Sequence, residues 1–432
     1  MHSELHNEKM MTHKIRALII ATKFPNTIQP WLANSTAQVV KQGGSATIFS
    51  MEQGDAHYSS VVDEYNLIQT TEVLNFSGRK KLLAIIKNFL NPLMLFKSIA
   101  GLCSAPQHLS KQKSLTSNLI GALALAPHFI KRDIDIIHSH FEITGHMMLP
   151  VIRAQQKPLV ITFHGLPPPG VAQLPNIMRR EYIDASNTIL VNTEFAKKQY
   201  MSLGAPAEKM AVIPQGIITR DFVFLTKSKP ENAPVELLTV GRFHTDKGQQ
   251  YVLQALPKLI ALGYNLHYTL VGAGPERAAL EKMVTQLDLQ KHVSFYTSIS
   301  EQKLKQLYAR AHIFIFPSLT DKTGFHEETQ GVAIQEAQAS GLIVIATKTG
   351  GIPECVDDGN SAFLVEDRNA DVIADKIQWI IDNPQHWNEW QHNARKYVET
   401  HFDIDVIGAR LIQIYADTIA RHQINHQGNS HE

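Results

Sequence analysis

Glu328 and Glu336 stand eight residues apart in the segment ETQGVAIQEAQASG, residues 328–341. Eight helical residues would rise roughly 12 Å, about the span from sugar to ribose in a nucleoside diphosphate sugar. Gly331 marks the helix start, which puts Glu328 in the loop before it. The free amides of Gly331, Val332 and Ala333 would then point at an anion lying between the two carboxylates. Carboxylates are good acceptors for vicinal hydroxyls. A purely structural reading competes: Glu328 complements a helix dipole and Glu336 sits on a solvated face. Glu336, however, lies among Ala333, Ile334, Ala337 and Ala339, and a carboxylate in such company needs a partner.

Gly241–Gly248 (GRFHTDKG) follows an apolar run, where a strand hands over to a helix. Gly241 is a candidate ligand-binding residue there. Arg242 and Lys247 are two cations on that one loop, and such a pair would neutralise a diphosphate leaving group. Surface charge is the competing reading, weaker for an Arg at the carboxyl end of a buried strand. His164 closes the apolar run ITFHG, residues 161–165. It could bind a hydroxyl or take a proton, or be a satisfied structural histidine.

Other signals carry less. Val271–Pro275 (VGAGP) is half a dinucleotide fingerprint, with Arg277 where the third glycine belongs, and a tight strand–helix turn explains it better. His138 and His140 share a strand face without a third ligand at metal spacing, so no metal site is expected. Asp133/Asp135 and Asp403/Asp405 could chelate Mg²⁺ with phosphates, although chance aspartates are the favoured reading. No Ser/His/Asp arrangement has a convincing local signature.

The chain that positions these groups has 432 residues, enough for two or three domains at roughly 100–200 residues each. With 44% hydrophobic and 19% charged residues it is neither mainly disordered nor low-complexity. A net charge of +1 argues against a nucleic-acid partner. The balance is uneven: 21 basic against 14 acidic residues up to Ile218, then 20 against 26. Cys103 and Cys355 are too few and too far apart for a disulfide framework, which fits a reducing compartment. Residues 1–14 hold no apolar signal-peptide core, and Leu119–Ile130 is too short to span a bilayer. The expectation is a cytoplasmic protein, soluble or peripheral.

Between Glu72 and Asp133 there is no acidic residue. Arg79, Lys80, Lys81 and Lys87 head a basic series interleaved with Leu82, Leu83, Ile85, Ile86, Phe89 and Leu90. Such a stretch can lie on anionic lipid, so these residues are candidate membrane or acceptor contacts. A core-packing helix pair with a solvated basic face is the alternative.

Apolar runs suited to parallel strands are Ile15–Ala21, Ala46–Ser50, Ile134–His138, Leu159–Phe163 and Thr188–Val191. After the polar Thr226–Pro234 linker they resume at Val235–Val240, Leu266–Val271, Val293–Tyr296, Ile313–Pro317, Ile343–Thr347 and Ala362–Val365. Helical stretches alternate with them, including Trp31–Gln42, Gly248–Leu262, Pro275–Leu287, Glu301–Ala309 and Val332–Ala339. This predicts an α/β chain of two doubly wound, Rossmann-like halves facing across a cleft, with C-terminal helices at Ala370–Ile381, Gln385–His401 and Ile404–Ile419. The expected limits are 14–222 for an acceptor-binding domain and 235–395 for a nucleotide-sugar-binding domain. A helix at 396–420 would pack back toward the first domain, and 1–13 and 421–432 would be disordered tails.

Taken together, Glu328-x7-Glu336, the Arg242/Lys247 pair, His164-Gly165, Ile213–Gly216 (IPQG) and Gly350–Glu354 (GGIPE) resemble the retaining GT-B glycosyltransferases of family 4 in order and spacing. The likeness covers Val235 to about Val365 well. The run QEAQASGLIVIATKTGGIPE looks like enzymes of bacterial exopolysaccharide assembly, the colanic acid type. In the first half it rests on the opening strand with Phe24-Pro25, the stretch Asp135–Phe141 and the TFHG segment. The resemblance implies a retaining hexosyltransferase without a metal cofactor, taking a UDP- or GDP-sugar. Its acceptor would be a glycan, polyprenyl-linked at the inner membrane surface.

The resemblance also implies roles. Glu336 would hold ribose hydroxyls, and Glu328 donor-sugar hydroxyls. Arg242 and Lys247 would bind the diphosphate. His164 would contact the sugar from the opposite domain. This chain departs from the pattern at Gln215, where many members have Asn, at Thr329, where many have Gly, and in a glycine-free first loop, Thr22–Pro30. A nucleotide-sugar epimerase on the same fold, a dinucleotide-dependent oxidoreductase and a non-catalytic polysaccharide-assembly scaffold are the rival readings.

Overall fold

The structure, a computed structural model of the chain, describes residues 14–26, 29–54, 60–74, 132–166, 173–320 and 327–428. Two all-parallel sheets organise them. The first contains β1 (Arg16–Phe24), β2 (Ser45–Gln53), β3 (Thr71–Val73), β4 (Ile136–Ser139), β5 (Leu159–Phe163), β6 (Thr188–Val191) and β7 (Met210–Val212), in spatial order β3-β2-β1-β4-β5-β6-β7. The second contains β8 (Val235–Val240), β9 (Leu266–Val271), β10 (Val293–Tyr296), β11 (Ile313–Phe316), β12 (Ile343–Thr347) and β13 (Phe363–Val365), in order β10-β9-β8-β11-β12-β13.

β1 reads as a continuous apolar run because it lies inside its sheet with helices on both faces. Ala17 to Ala21 are each no more than 1% exposed. Their side chains alternate, Leu18 and Ile20 into one core, Ala17, Ile19 and Ala21 into the other. Strand order reverses between β1 and β4 and again between β8 and β11. Ligands of doubly wound sheets bind at such switch points, beyond the carboxyl ends of the strands. His164 follows β5, the Gly241–Gly248 loop follows β8, and the Glu328 segment follows β11.

The connecting helices of the first half are α1 (Pro30–Lys41), α2 (Ser60–Glu64), α3 (Glu142–Ala154), α4 (Asn176–Ala185) and α5 (Glu194–Ser202). Those of the second are α6 (Gln249–Ala261), α7 (Arg277–Gln286), α8 (Glu301–Arg310), α9 (Val332–Ala339), α10 (Ala370–Asp382) and α11 (Trp387–His401). The chain passes from one sheet to the other through 223–234, which contains neither helix nor strand. It returns at Phe402–Asp403, where Ile217 N–H donates to the Phe402 carbonyl at 2.9 Å and Ile404 N–H to the Ile217 carbonyl at 2.8 Å.

The last helix, α12 (Ile404–Gly428), buries Ile407, Leu411 and Tyr415 in the core that also takes Ile19 and Val160. It is longer than the sequence suggested. Residues 421–428, expected to be tail, are helical because polar groups there find partners on the first domain. His422 Nε2 donates to the Gln156 carbonyl at 3.0 Å, and Arg421 Nη2 to Thr188 Oγ1 at 3.3 Å. Two strands went unread, β3 and β7, each three residues at a sheet edge and too short for a periodic pattern. Arg79, Lys80, Lys81 and Lys87 lie outside the described residues.

Candidate functional site

β8 delivers the chain into a short 3₁₀ turn, Thr245–Lys247, closed by Gly248 at φ +64°. A Cβ on Gly248 would fall 1.9 Å from the Pro317 carbonyl oxygen, so this turn and the chain after β11 approach as backbone only. Lys247 thereby reaches the Glu328 carboxylate at 2.5 Å and Asp246 at 3.4 Å. Burial alone would lower the Lys247 pKa, but Glu328 and Asp246 outweigh it and raise it, so the ammonium is charged at any physiological pH. Arg242, from the same loop, is largely exposed and 4.0 Å from Asp246. Asp246, unremarked in the sequence, therefore ties both cations together, and it accepts from His244 Nδ1 at 2.5 Å.

Glu328 is outside the helix, and α9 begins only at Val332, so the two glutamates are not joined by eight helical residues. The Glu328 backbone is held from below by the GGIPE segment. Gly351 N–H donates to the Glu328 carbonyl at 2.8 Å, and a Cβ on Gly350 would meet that oxygen at 2.2 Å. The motif needs its glycines for this close approach. No side chain caps α9, and the first amides of a helix have no partner inside it. The Gly331 amide faces Cys355, whose thiol is pushed up to about 12 by burial against that hydrogen bond. Val332 and Ala333, the first residues of α9, have no amide partner inside the helix.

Glu336 sits one turn into α9 and accepts from Tyr308 Oη, on α8, at 2.7 Å. Burial raises its pKa to about 7, against the opposing effects of the Tyr308 hydrogen bond and the Lys305 charge. Its partner is a neutral phenol, which sequence reasoning could not supply from a residue on another helix. Gly241 has open space where a Cβ would be. The VGAGP glycines pack on the same loop: a Cβ on Gly272 would lie 1.9 Å from the Gly241 oxygen, which makes that segment a close-packed turn.

From the first domain, His164 presents an imidazole against the Trp31 indole, ring centroids 4.1 Å apart. Burial pulls its pKa down to about 3, so the ring is neutral. Its Nδ1 accepts from Gln215 Nε2 at 3.2 Å, while Nε2 is buried without a partner. A buried polar atom left without a protein partner makes His164 a candidate ligand contact. His138 and His140 do share a face, with rings 3.9 Å apart, and His138 is engaged by Tyr415 and Thr162.

The two domains meet on the loop that carries Glu328. Thr329 Oγ1 donates to the His164 carbonyl at 3.3 Å, and Thr193 Oγ1 donates to the Thr329 carbonyl at 2.9 Å. Gly165 is required there, since a Cβ would meet the Thr329 methyl at 2.7 Å. Gln215 N–H donates to Gln330 Oε1 at 2.7 Å, and Gln330 Nε2 returns to the Gln215 carbonyl at 2.8 Å. Glu354 accepts from the amides of Glu194 and Phe195 at 2.7 and 2.8 Å, capping α5 from the opposite domain. Two of the three departures noted in the sequence, Gln215 and Thr329, are therefore interdomain contacts.

The aspartate pairs are structural. Asp135 takes the Arg16 guanidinium at 2.7 Å with Asp133 beside it, and Asp405 pairs with Lys41 at 2.6 Å. Among the described residues, no group of three or more His, Cys, Asp or Glu could hold a metal ion, and no helix is long and apolar enough to cross a membrane.

Two family models match the chain: Glycosyltransferase Family 4 over residues 104–221 and Glycosyl transferases group 1 over residues 224–397. A putative colanic acid biosynthesis glycosyltransferase of Salmonella typhimurium is 24% identical, covering 82% of this chain and 88% of its own. An amylovoran biosynthesis glycosyltransferase of Erwinia amylovora is 25% identical, covering 91% and 97%. The solved structure of Anabaena HepE in complex with UDP superposes with a TM-score of 0.68 at 17% identity, covering 93% of this chain and all of that one, which shows the shared fold.

Proposed function

The chain is a GT-B glycosyltransferase, a family 4 domain followed by a group 1 domain, and from that premise we propose that it moves a hexose from a nucleoside diphosphate sugar to a glycan acceptor with retention at the anomeric carbon. One observation carries this reading. Lys247 pairs with Glu328 on the loop that leads into the uncapped start of α9, and His164 and Thr193 dock onto that same loop from the other domain.

The diphosphate would lie on the Val332 and Ala333 amides, with Arg242 and Lys247 completing its neutralisation. An ammonium has three donors, so Lys247 can serve Glu328, Asp246 and a phosphate oxygen together. Glu328 would accept from donor-sugar hydroxyls and Glu336 from the ribose. His164 Nε2 would meet the sugar from above. As the glycosidic bond lengthens, charge grows on the departing phosphate, where the ammonium and helix amides hold it. The acceptor hydroxyl would enter on the same face, and the leaving phosphate would take its proton. None of these steps calls for a metal cofactor. The relatives named for exopolysaccharide biosynthesis favour a polysaccharide product.

A thermal-shift series with UDP-, GDP- and ADP-sugars tests the donor assignment, because a bound ligand raises the melting midpoint. No shift with any of them would remove it. An epimerase would instead convert its donor with no acceptor present. The lipid-linked acceptor and membrane contact are proposed from the basic stretch in the sequence. Retention on vesicles containing anionic lipid should fall in Lys80→Glu/Lys81→Glu, and equal retention would end that part of the proposal.

A further inference from the structure

His164 has two ring nitrogens, and which of them carries the proton decides whether it offers a substrate a donor or an acceptor. Among the polar contacts of the ring, one reaches a nitrogen: Gln215 Nε2 to Nδ1 at 3.2 Å. Trp31 and Phe141 approach the ring tilted at 37° and 41°, and His140 stacks on it at 15°, at centroid distances of 4.1, 5.9 and 5.8 Å. Thr329 bonds the His164 carbonyl and not the ring.

We infer that Gln215 is a positioning residue, whose side-chain amide occupies His164 Nδ1 and so keeps the imidazole proton on Nε2, the nitrogen left without a protein partner. The inference rests on the contact between His164 and the donor sugar proposed above, and deepens it: the imidazole approaches the sugar as a hydrogen-bond donor. A donor there seeks a hydroxyl lone pair and leaves that hydroxyl's own proton for another acceptor.

The backbone of Gln215 does not wander. Its N–H and C=O are both taken by the Gln330 side chain, at 2.7 and 2.8 Å, as a neighbouring strand would take them. Ile213 N–H is bound to the Val191 carbonyl at 2.8 Å on one side and Ile217 N–H to the Phe402 carbonyl at 2.9 Å on the other. Gln330 lies between Glu328 and α9. The loop that carries the donor carboxylate therefore also fixes the residue that sets the imidazole across the groove.

The test is direct. The full-length protein is labelled with ¹⁵N-histidine, and His164 is assigned by its loss in His164→Asn. Two-bond ¹H–¹⁵N spectra then report the protonated nitrogen. Wild type is expected to show the proton on Nε2. Gln215→Glu, which keeps the main-chain clasp, presents an acceptor to Nδ1 and should draw a proton onto it. Turnover should fall about tenfold, the worth of one misdirected hydrogen bond, with the melting midpoint unchanged. Turnover is read with whichever of UDP-glucose and GDP-mannose shifts that midpoint. A proton on Nδ1 in wild type, or the same His164 pattern in both proteins, overturns the inference. The expected spectra with unchanged turnover would uphold the tautomer assignment and refute the His164 role proposed above.

Discussion

Glu336→Gln should make the protein more stable and less able to bind its donor. The folded environment holds the Glu336 carboxyl at about 7, against an ordinary value of 4.5. The cause is burial, opposed by the Tyr308 hydrogen bond and the Lys305 charge. Between those two values the native state keeps a proton that the unfolded chain has released, so this group makes stability fall as pH rises from 4.5 to 7. At 1.36 kcal/mol per pH unit the full penalty is about 3 kcal/mol above pH 7, and under about 1 kcal/mol at pH 5. Glutamine keeps an oxygen for the Tyr308 hydroxyl and carries no charge, so it removes the penalty without opening a cavity. Melting midpoints of wild type and variant should nearly coincide at pH 5 and differ by roughly 5–10 °C at pH 8.5, the variant higher. Donor binding should move the other way, since ribose hydroxyls donate better to a carboxylate than to an amide. A wild-type-to-variant gap that stays constant between pH 5 and 8.5 would refute the reasoning, because only a titrating group makes it change.

Lys247→Ala should lower turnover by roughly 10²–10³-fold with the fold intact by circular dichroism, the scale for losing one donor to a developing anion; near-wild-type rates would dismiss the site. Gly350→Ala places a methyl 2.2 Å from the Glu328 carbonyl oxygen at φ +53°, so the Glu328 loop must shift. Turnover should fall more than the melting midpoint, and equal losses would mean a general folding defect. Glu354→Ala frees the amides of Glu194 and Phe195, at a cost of about 1 kcal/mol for the lost cap. X-ray scattering should then report a larger radius of gyration as the domains part, and an unchanged profile would show that the other interdomain bonds suffice.

Much of the fold was readable because its strands announce themselves. Leu159–Phe163 and Val235–Val240 are short apolar runs bounded by polar turns, and a parallel strand covered on both faces produces that pattern. The edge strands Thr71–Val73 and Met210–Val212 carry no such signal, being half wet and three residues long. The last helix was cut short because 421–428 is polar, and its stabilising contacts, Arg421 with Thr188 and His422 with Gln156, are over two hundred residues away in sequence. The same distance hid the partners of the site. Residue type and spacing single out Glu336 and Glu328, yet nothing local says that one meets Tyr308 and the other Lys247. Gln215 and Thr329 stood out only as departures from a family pattern, and both are contacts between domains.

The charges around the groove correct a simple picture of two cations awaiting a diphosphate. Lys247 and Arg242 are matched by Glu328 and Asp246, so the cluster is formally neutral before any ligand arrives. In the proposed site a dinegative diphosphate would be drawn by what the ion pairs leave over: the spare donors of Lys247, the exposed Arg242 guanidinium and the uncapped amides of α9. Such a balance has a use. The carboxylate of Glu328 is fixed by the ammonium that would also meet the phosphate, so hydroxyl recognition and leaving-group stabilisation would depend on one side chain. Removing Lys247 therefore does more than delete a donor. It would leave Glu328 and Asp246 facing the diphosphate without the ammonium that pairs with both, turning a neutral cradle into a repulsive one, which is why the loss there should exceed that from deleting the exposed Arg242.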